Sequence, residues 1–196
     1  MRKVIINEQL SLDGVMQGPG GPDEDTSGGF PHGGWAMEYF DESMGKASAL
    51  GMESAGALLI GRRTYEIFAG YWPHQADDAP FASFLNSVPK YVASGTLQEP
   101  LEWNNSHLLK GDVAEAVRKL KQEDGGDIIV LGSGELAQTL LEHGLIDVYD
   151  LWVDPIVLGT GKRLFREEGP KIPLKLAKSE ISTTGVAMLT YEPGDR

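Results

Sequence analysis

Cysteine is absent from the 196 residues. That removes disulfides, thiolate metal sites and cysteine nucleophiles together, and leaves the redox compartment undetermined. No apolar run reaches membrane length, and the start, Met1-Arg2-Lys3-Val4-Ile5-Ile6-Asn7, is far too short for a signal peptide. A cytoplasmic protein without a membrane partner is the expectation. Positive charge is scarce: 17 Lys and Arg stand against 29 Asp and Glu, a formal net charge of -12 at pH 7. Such a field repels phosphate at long range and argues against nucleic acid as a partner, so an anionic ligand has to be held by local basic groups. The G-x-S-x-G of serine hydrolases is missing, and His32, His74, His107 and His143 are isolated, so no metal is expected. No linker interrupts the chain, which makes residues 1–196 one expected domain.

What is present alternates between strand-like and helix-like segments. Residues 3–9 are β-branched and bounded by Asp13-Gly14, a first strand. Residues 18–34 hold seven glycines and three prolines without periodicity, the composition of a lid, a binding loop or disorder. Met37, Phe40, Met44, Ala47 and Leu50 recur at three- and four-residue steps and predict an amphipathic helix over residues 37–52. Residues 57–60 read as a buried strand, and 64–69 as a short helix capped by Thr64. Asp112 opens a helix to about residue 122, followed by a strand over 127–131, a helix over 135–143 and a strand over 147–153. Residues 176–183 and 186–192 form a closing hairpin. The sum is an α/β domain with a mostly parallel central sheet, flanking helices and an antiparallel C-terminal hairpin.

Three apolar runs end abruptly in glycine or small polar residues: Ala57–Ile60 into Gly61-Arg62-Arg63-Thr64, Tyr91–Ala93 into Ser94-Gly95-Thr96, and Ile128–Leu131 into Gly132-Ser133-Gly134. A strand that turns at glycine into a helix leaves backbone N–H groups unpaired where the helix dipole favours an anion. Gly132-Ser133-Gly134-Glu135-Leu136-Ala137 matches G-x-G-x-x-A, which fits either a dinucleotide site or a corner that only lets the helix pack tightly. Gly159-Thr160-Gly161-Lys162-Arg163 fails the P-loop pattern. Arg62 and Arg63 add permanently charged planar donors beside one corner. Three such corners suit one long polyanionic cofactor.

Leu59–Glu66, Val92-Ala93-Ser94 and Ile129–Leu136 resemble, in order, the three cofactor-binding segments of the dihydrofolate reductase fold. Ser11-Leu12-Asp13-Gly14, Leu145-Ile146-Asp147 and the segment 155–161 are more specifically similar to the reductase domain of riboflavin biosynthesis, the RibD C-terminal type. The zinc deaminase pattern often fused to that domain is absent from this sequence. The resemblance implies NADPH across the carboxyl edge of the sheet, reduction of a pterin or ribityl-pyrimidine-like substrate, and a homodimer. Gly61, Arg62, Arg63 and Thr64 would contact phosphates, with an arginine and Ser94 near the adenosine 2′-phosphate, and Gly132, Ser133, Gly134, Glu135 and Leu136 would cradle the pyrophosphate. A classical dihydrofolate reductase and a non-catalytic nucleotide-binding protein are the alternatives. For the proton that follows hydride transfer the candidates are Asp13, after the first strand, and Asp41, near the helix start. Gln17 and Trp35 are the candidate substrate contacts; Tyr71 and Trp72 are further rings able to stack on a flat heterocycle.

Overall fold

The computed structural model describes residues 1–76 and 80–195. Strands β1 (Val4–Ser11), β2 (Ala55–Gly61), β3 (Lys90–Ala93), β4 (Ser106–Leu109), β5 (Asp127–Leu131), β6 (Val148–Asp154), β7 (Leu174–Ile181) and β8 (Ala187–Pro193) form one eight-stranded sheet in the order β4-β3-β2-β5-β1-β6-β8-β7. From β4 to β6 every neighbouring pair is parallel, and β8 and β7 close the sheet antiparallel. Helices α1 (Glu42–Ser54), α2 (Arg62–Tyr71), α3 (Pro80–Ser87), α4 (Val113–Gln122) and α5 (Gly134–Glu142) cover it.

Both faces of the parallel part are buried, as crossover helices require. Val4, Ile6 and Leu10 of β1 and Ile128 and Val130 of β5 pack with Ala114, Val117 and Leu120 of α4 and Leu136, Leu140 and Leu141 of α5. On the other face Leu58, Ile60 and Val92 pack with Tyr65, Leu85, Val88 and Trp103. Lys90 is fully buried there; its ammonium donates to the carbonyls of Leu85 and Val88 (2.8 Å each) at the end of α3 and lies 4.4 Å from the centre of the Trp103 ring. Lys90 is thus a buried cation that caps the end of a helix.

Three local expectations change. The helix over 37–52 begins only at Glu42, because Asp41 accepts from the Met44 N–H (3.0 Å) and caps it; Met37, Phe40 and Leu50 are exposed, and Met44 alone of that stripe is buried. Thr64 is inside α2 rather than its cap, which is Gly61. Helix α3 and strand β4 have no counterpart in the sequence reading. The glycine-rich loop is folded back on itself: Gly34 N–H donates to Gly18 (2.8 Å), the Gln17 amide donates to the carbonyls of Asp25 (3.0 Å) and Ser27 (2.9 Å), and Phe30 is buried with Val15 and Trp35.

Candidate functional site

Strands β2 and β5 are neighbours, so the corners that follow them meet. Gly132 (φ 65°) and Ser133 (φ 69°) are both left-handed, which turns the Ser133 side chain away from its own helix. Its hydroxyl accepts from the Gly61 N–H (2.9 Å) and shares a hydrogen bond with Thr64 Oγ1 (2.7 Å). A Cβ on Gly61 would stand 2.5 Å from Ser133 Oγ, so only glycine allows this contact. One serine thus locks two corners together. Neither α2 nor α5 has a side-chain cap, whereas α1 and α4 are capped by Asp41 and Asp112. Both of these helices, whose first N–H groups need an outside acceptor, start at the same place.

That place is a cleft of about 950 Å³, lined by all three corners. Ser94 Oγ accepts from the N–H groups of Thr96 (3.1 Å) and Leu97 (3.0 Å), so it shapes the third corner. Arg62 is paired with Glu66 one turn on (3.0 Å), while Arg63 reaches, among the described residues, only the Ser27 hydroxyl (3.5 Å). Lys162, Arg163 and Arg166 line the cleft as well. Glu135 swings its carboxylate out to Arg166, and Leu136 is buried in the core. Local basic groups therefore offset the acidic surface where the sequence said they must.

A second hollow of about 740 Å³ lies between α1 and the sheet, and Asn7, Phe81 and Leu131 line both. Its wall is largely apolar, with Leu50, Phe84, Trp152 and Met188, and its ionisable floor is Asp150 of β6. Burial pushes the Asp150 carboxyl above its ordinary range, against the hydrogen bond it accepts from Asn7 Nδ2 (2.7 Å).

The candidate acids have other partners. Asp13 accepts from the N–H groups of Leu158 (3.0 Å) and Gly159 (2.9 Å), from the Ser11 hydroxyl (2.7 Å) and from Arg163 (3.0 Å). These donors, the Leu158 N–H first, hold it far below the usual carboxylate range. Asp41 is held down likewise by the Ser43 and Thr183 hydroxyls and the Met44 N–H. Neither lines either hollow. Both are clasps, and an anion so strongly stabilised is a poor proton donor at neutral pH. Gln17 lines the cleft with both ends of its amide occupied, the oxygen by the Lys162 N–H (3.1 Å). Trp35 is core, its indole N–H donating to the Gln17 carbonyl (2.8 Å). Tyr71 is largely exposed, but Trp72 lines the cleft beside Phe68 and Phe81.

The sequence reading passed over two groups, Asp150 and Glu8. Glu8 stands on β1 in register with the buried Val4, Ile6 and Leu10, so strand alternation was the available signal. It lines the cleft, only 6 % exposed.

A mostly parallel sheet, closed by an antiparallel pair and carrying glycine-turned corners at its carboxyl edge, defines a dihydrofolate reductase-like fold. A dihydrofolate reductase from Enterococcus faecalis complexed with NADP(H) superposes with a TM-score of 0.61 at 11% identity, over 98% of this chain and 97% of that one. The chain belongs to the RibD C-terminal domain family, whose model matches residues 2–188. It is 28% identical over 193 residues to YyaP of Bacillus subtilis (strain 168), covering 97% of this chain and 94% of that protein. A putative riboflavin biosynthesis protein from Shewanella sp. PV-4 superposes with a TM-score of 0.70 at 23% identity over the whole of both chains. A bifunctional deaminase and 5-amino-6-(5-phosphoribosylamino)uracil reductase from Thermotoga maritima gives a TM-score of 0.63 at 14% identity; this chain covers 57% of that one.

Proposed function

We propose that this protein is an NADPH-dependent reductase that transfers a hydride to a small flat heterocycle of the pterin or ribityl-pyrimidine kind, like the uracil reductase it resembles. The observation that carries the proposal is the pair of uncapped helix starts, locked together by Ser133 and facing one arginine-lined cleft. The N–H groups at the starts of α2 and α5 fit a pyrophosphate, and Arg63, with Arg62 beside it, fits a 2′-phosphate. Bound NADPH supplies the hydride, and the chain's own groups do the rest. Phe68, Trp72 and Phe81 wall the cleft and keep water from it. The second hollow takes the substrate, because it opens into the cleft at Asn7 and Leu131. Asp150, raised by burial and oriented by Asn7, is the acid that donates its proton to the substrate atom left basic by hydride transfer and takes one back from solvent afterwards.

Titration of tryptophan fluorescence tests the cofactor half, since Trp72 lines the cleft. NADPH should quench it and NADH should bind about 10-fold or more weakly, for want of the 2′-phosphate. Arg63→Ala should erase most of that preference, and Arg62→Ala less of it, given its pairing with Glu66. Equal loss of NADPH and NADH in both variants contradicts the 2′-phosphate role, and no binding of either nucleotide contradicts the reductase.

A further inference from the structure

Glu8 is the side chain of the cleft for which the fold itself has no use. β5 pairs with β1 as far as Leu131 opposite Asn7 and then turns away at Gly132. One residue further along β1, Glu8 therefore has Leu151 of β6 on one side and the Gly132 N–H and the cleft on the other. Its Oε1 is buried without a hydrogen-bond partner among the described residues. Such an atom is costly unless a ligand completes it.

The order of the strands says which part of a ligand arrives there. Along the sheet, β3, β2, β5 and β1 are successive neighbours. Ser94 follows β3, the Arg62 corner follows β2 and the Gly132 corner follows β5. A dinucleotide with its adenosine end over β3 and β2 and its pyrophosphate between the starts of α2 and α5 has its nicotinamide end over β1. We propose that Glu8 is a cofactor-contacting residue whose carboxyl pairs with the primary amide of the nicotinamide ring. This rests on the NADPH reading above.

The acid form is the one that pairs. Burial pushes the Glu8 carboxyl up to about 8, with the Gly132 N–H pulling it down and the Glu24 carboxylate adding to the rise. A neutral carboxyl offers one donor and one acceptor, and a primary amide offers the complement, so two hydrogen bonds form side by side. The ionised form can only accept, and it meets the amide oxygen with a second oxygen. Other charged groups lining the cleft are Arg62 and Arg63 of α2, Glu24 and Asp25 of the glycine-rich loop, Glu135 of α5, and Lys162, Arg163 and Arg166. Glu24 is itself raised by burial and is the control.

The test compares the affinity of NADPH with that of 2′,5′-ADP, which carries the adenosine phosphates and no nicotinamide, at pH 7 and pH 9. Above pH 7 the 2′-phosphate is ionised in both, so their ratio isolates the nicotinamide end. In the native protein the preference for NADPH should fall about 10-fold between pH 7 and pH 9, as one hydrogen bond turns into a repulsion. Glu8→Gln, which keeps a donor and an acceptor, should hold the preference flat, Glu24→Gln should leave the fall in place, and Glu8→Leu should weaken NADPH alone. A preference independent of pH in the native protein, or a Glu8→Leu variant that binds NADPH as tightly as the native protein, overturns the assignment while 2′,5′-ADP binding leaves the cofactor cleft standing. Failure of both nucleotides to bind the native protein removes the cleft reading and this assignment with it.

Discussion

Asp13 and Asp150 differ less in position than in company. Asp13 faces two backbone N–H groups, a hydroxyl and a guanidinium, and these fix it as an anion that ties the turn after β1 to residues 158–163. Asp150 faces the Asn7 amide, Trp152, Thr190 and Lys178 in a largely apolar hollow, and burial outweighs them to favour its proton. The roles follow from those surroundings and are separable by substitution. Asp150→Asn should leave the NADPH affinity unchanged and lower turnover on any accepted substrate about 10²-fold or more, the usual share of a general acid. Asp13→Asn should lower stability by about 1–2 kcal/mol through the lost charged hydrogen bonds and leave turnover of the folded enzyme within a few-fold. Steady-state kinetics beside thermal melts distinguish the two, and the reverse pattern would return the acid role to Asp13. The sequence named Asp13 because it closes the first strand, but the donors that neutralise it as an acid lie some 145 residues away along the chain, at Leu158 and Gly159. Asp150 and Glu8 were readable only as strand residues, since their cavities are made by other elements.

At the scale of elements the decisive contact is Ser133 against Gly61 and Thr64, which joins the start of α5 to that of α2. Gly61→Ala places a methyl 2.5 Å from Ser133 Oγ and 2.7 Å from its Cβ, so the corners must part. The variant should lose about 1–3 kcal/mol of stability, as overpacked sites do, and bind NADPH about 10-fold or more weakly. Adding Ser133→Gly removes the clashing atoms and suits the positive φ there, so the double variant should be more stable than Gly61→Ala alone. Additive losses in melts of the three variants would mean that the corners are independent. Periodicity revealed α4, which buries one regular face, β2 and β5 showed as short apolar runs because both faces of the sheet are covered, and all three glycine corners stood in the sequence in order. It missed α3 and β4, which have eight and four residues, too few for a period to declare itself. It misread the start of α1 for a different reason: Met37 and Phe40 carry the helical spacing but lie before the Asp41 cap, in and beside a short 3-10 turn. The docking of one corner on another was not readable at all, because a serine inside a G-x-G looks the same whether it binds a ligand or a neighbouring glycine.

For the whole molecule, the buried carboxyls of the ligand cleft and the end of β6 set the pH dependence. Burial pushes Glu8 up from 4.5 to about 8, and Asp154, fully buried with Oδ2 unpartnered, up from 3.8 to about 7, partly opposed by Gln9. Between the ordinary and the raised values the folded protein holds protons that the unfolded chain has released, so unfolding becomes easier as pH rises. Their stabilising contribution is present near pH 4 and is lost on the way to pH 8. Asp13 and Asp41, held low, act in the opposite sense, and their contribution is lost only as pH falls below about 4, the ordinary aspartate value. The net charge of -12 works with Glu8 and Asp154 at the alkaline end. The ligand-free protein should therefore melt several degrees lower at pH 8 than at pH 5.5, and Glu8→Gln should recover part of the difference; a melting temperature that rises over that interval would contradict the buried, neutral state of these groups. No helix among the described residues is long and apolar enough to cross a membrane.

The central claim is that one NADPH lies across the carboxyl edge of the sheet with its ends in a fixed order. A crystal structure with NADPH bound tests it most directly. The account predicts the 2′-phosphate against Arg63, the pyrophosphate between the starts of α2 and α5, and the nicotinamide beside Glu8 where the two hollows meet at Asn7 and Leu131. Density for the dinucleotide in the opposite direction, or lodged only in the hollow under α1, would contradict it.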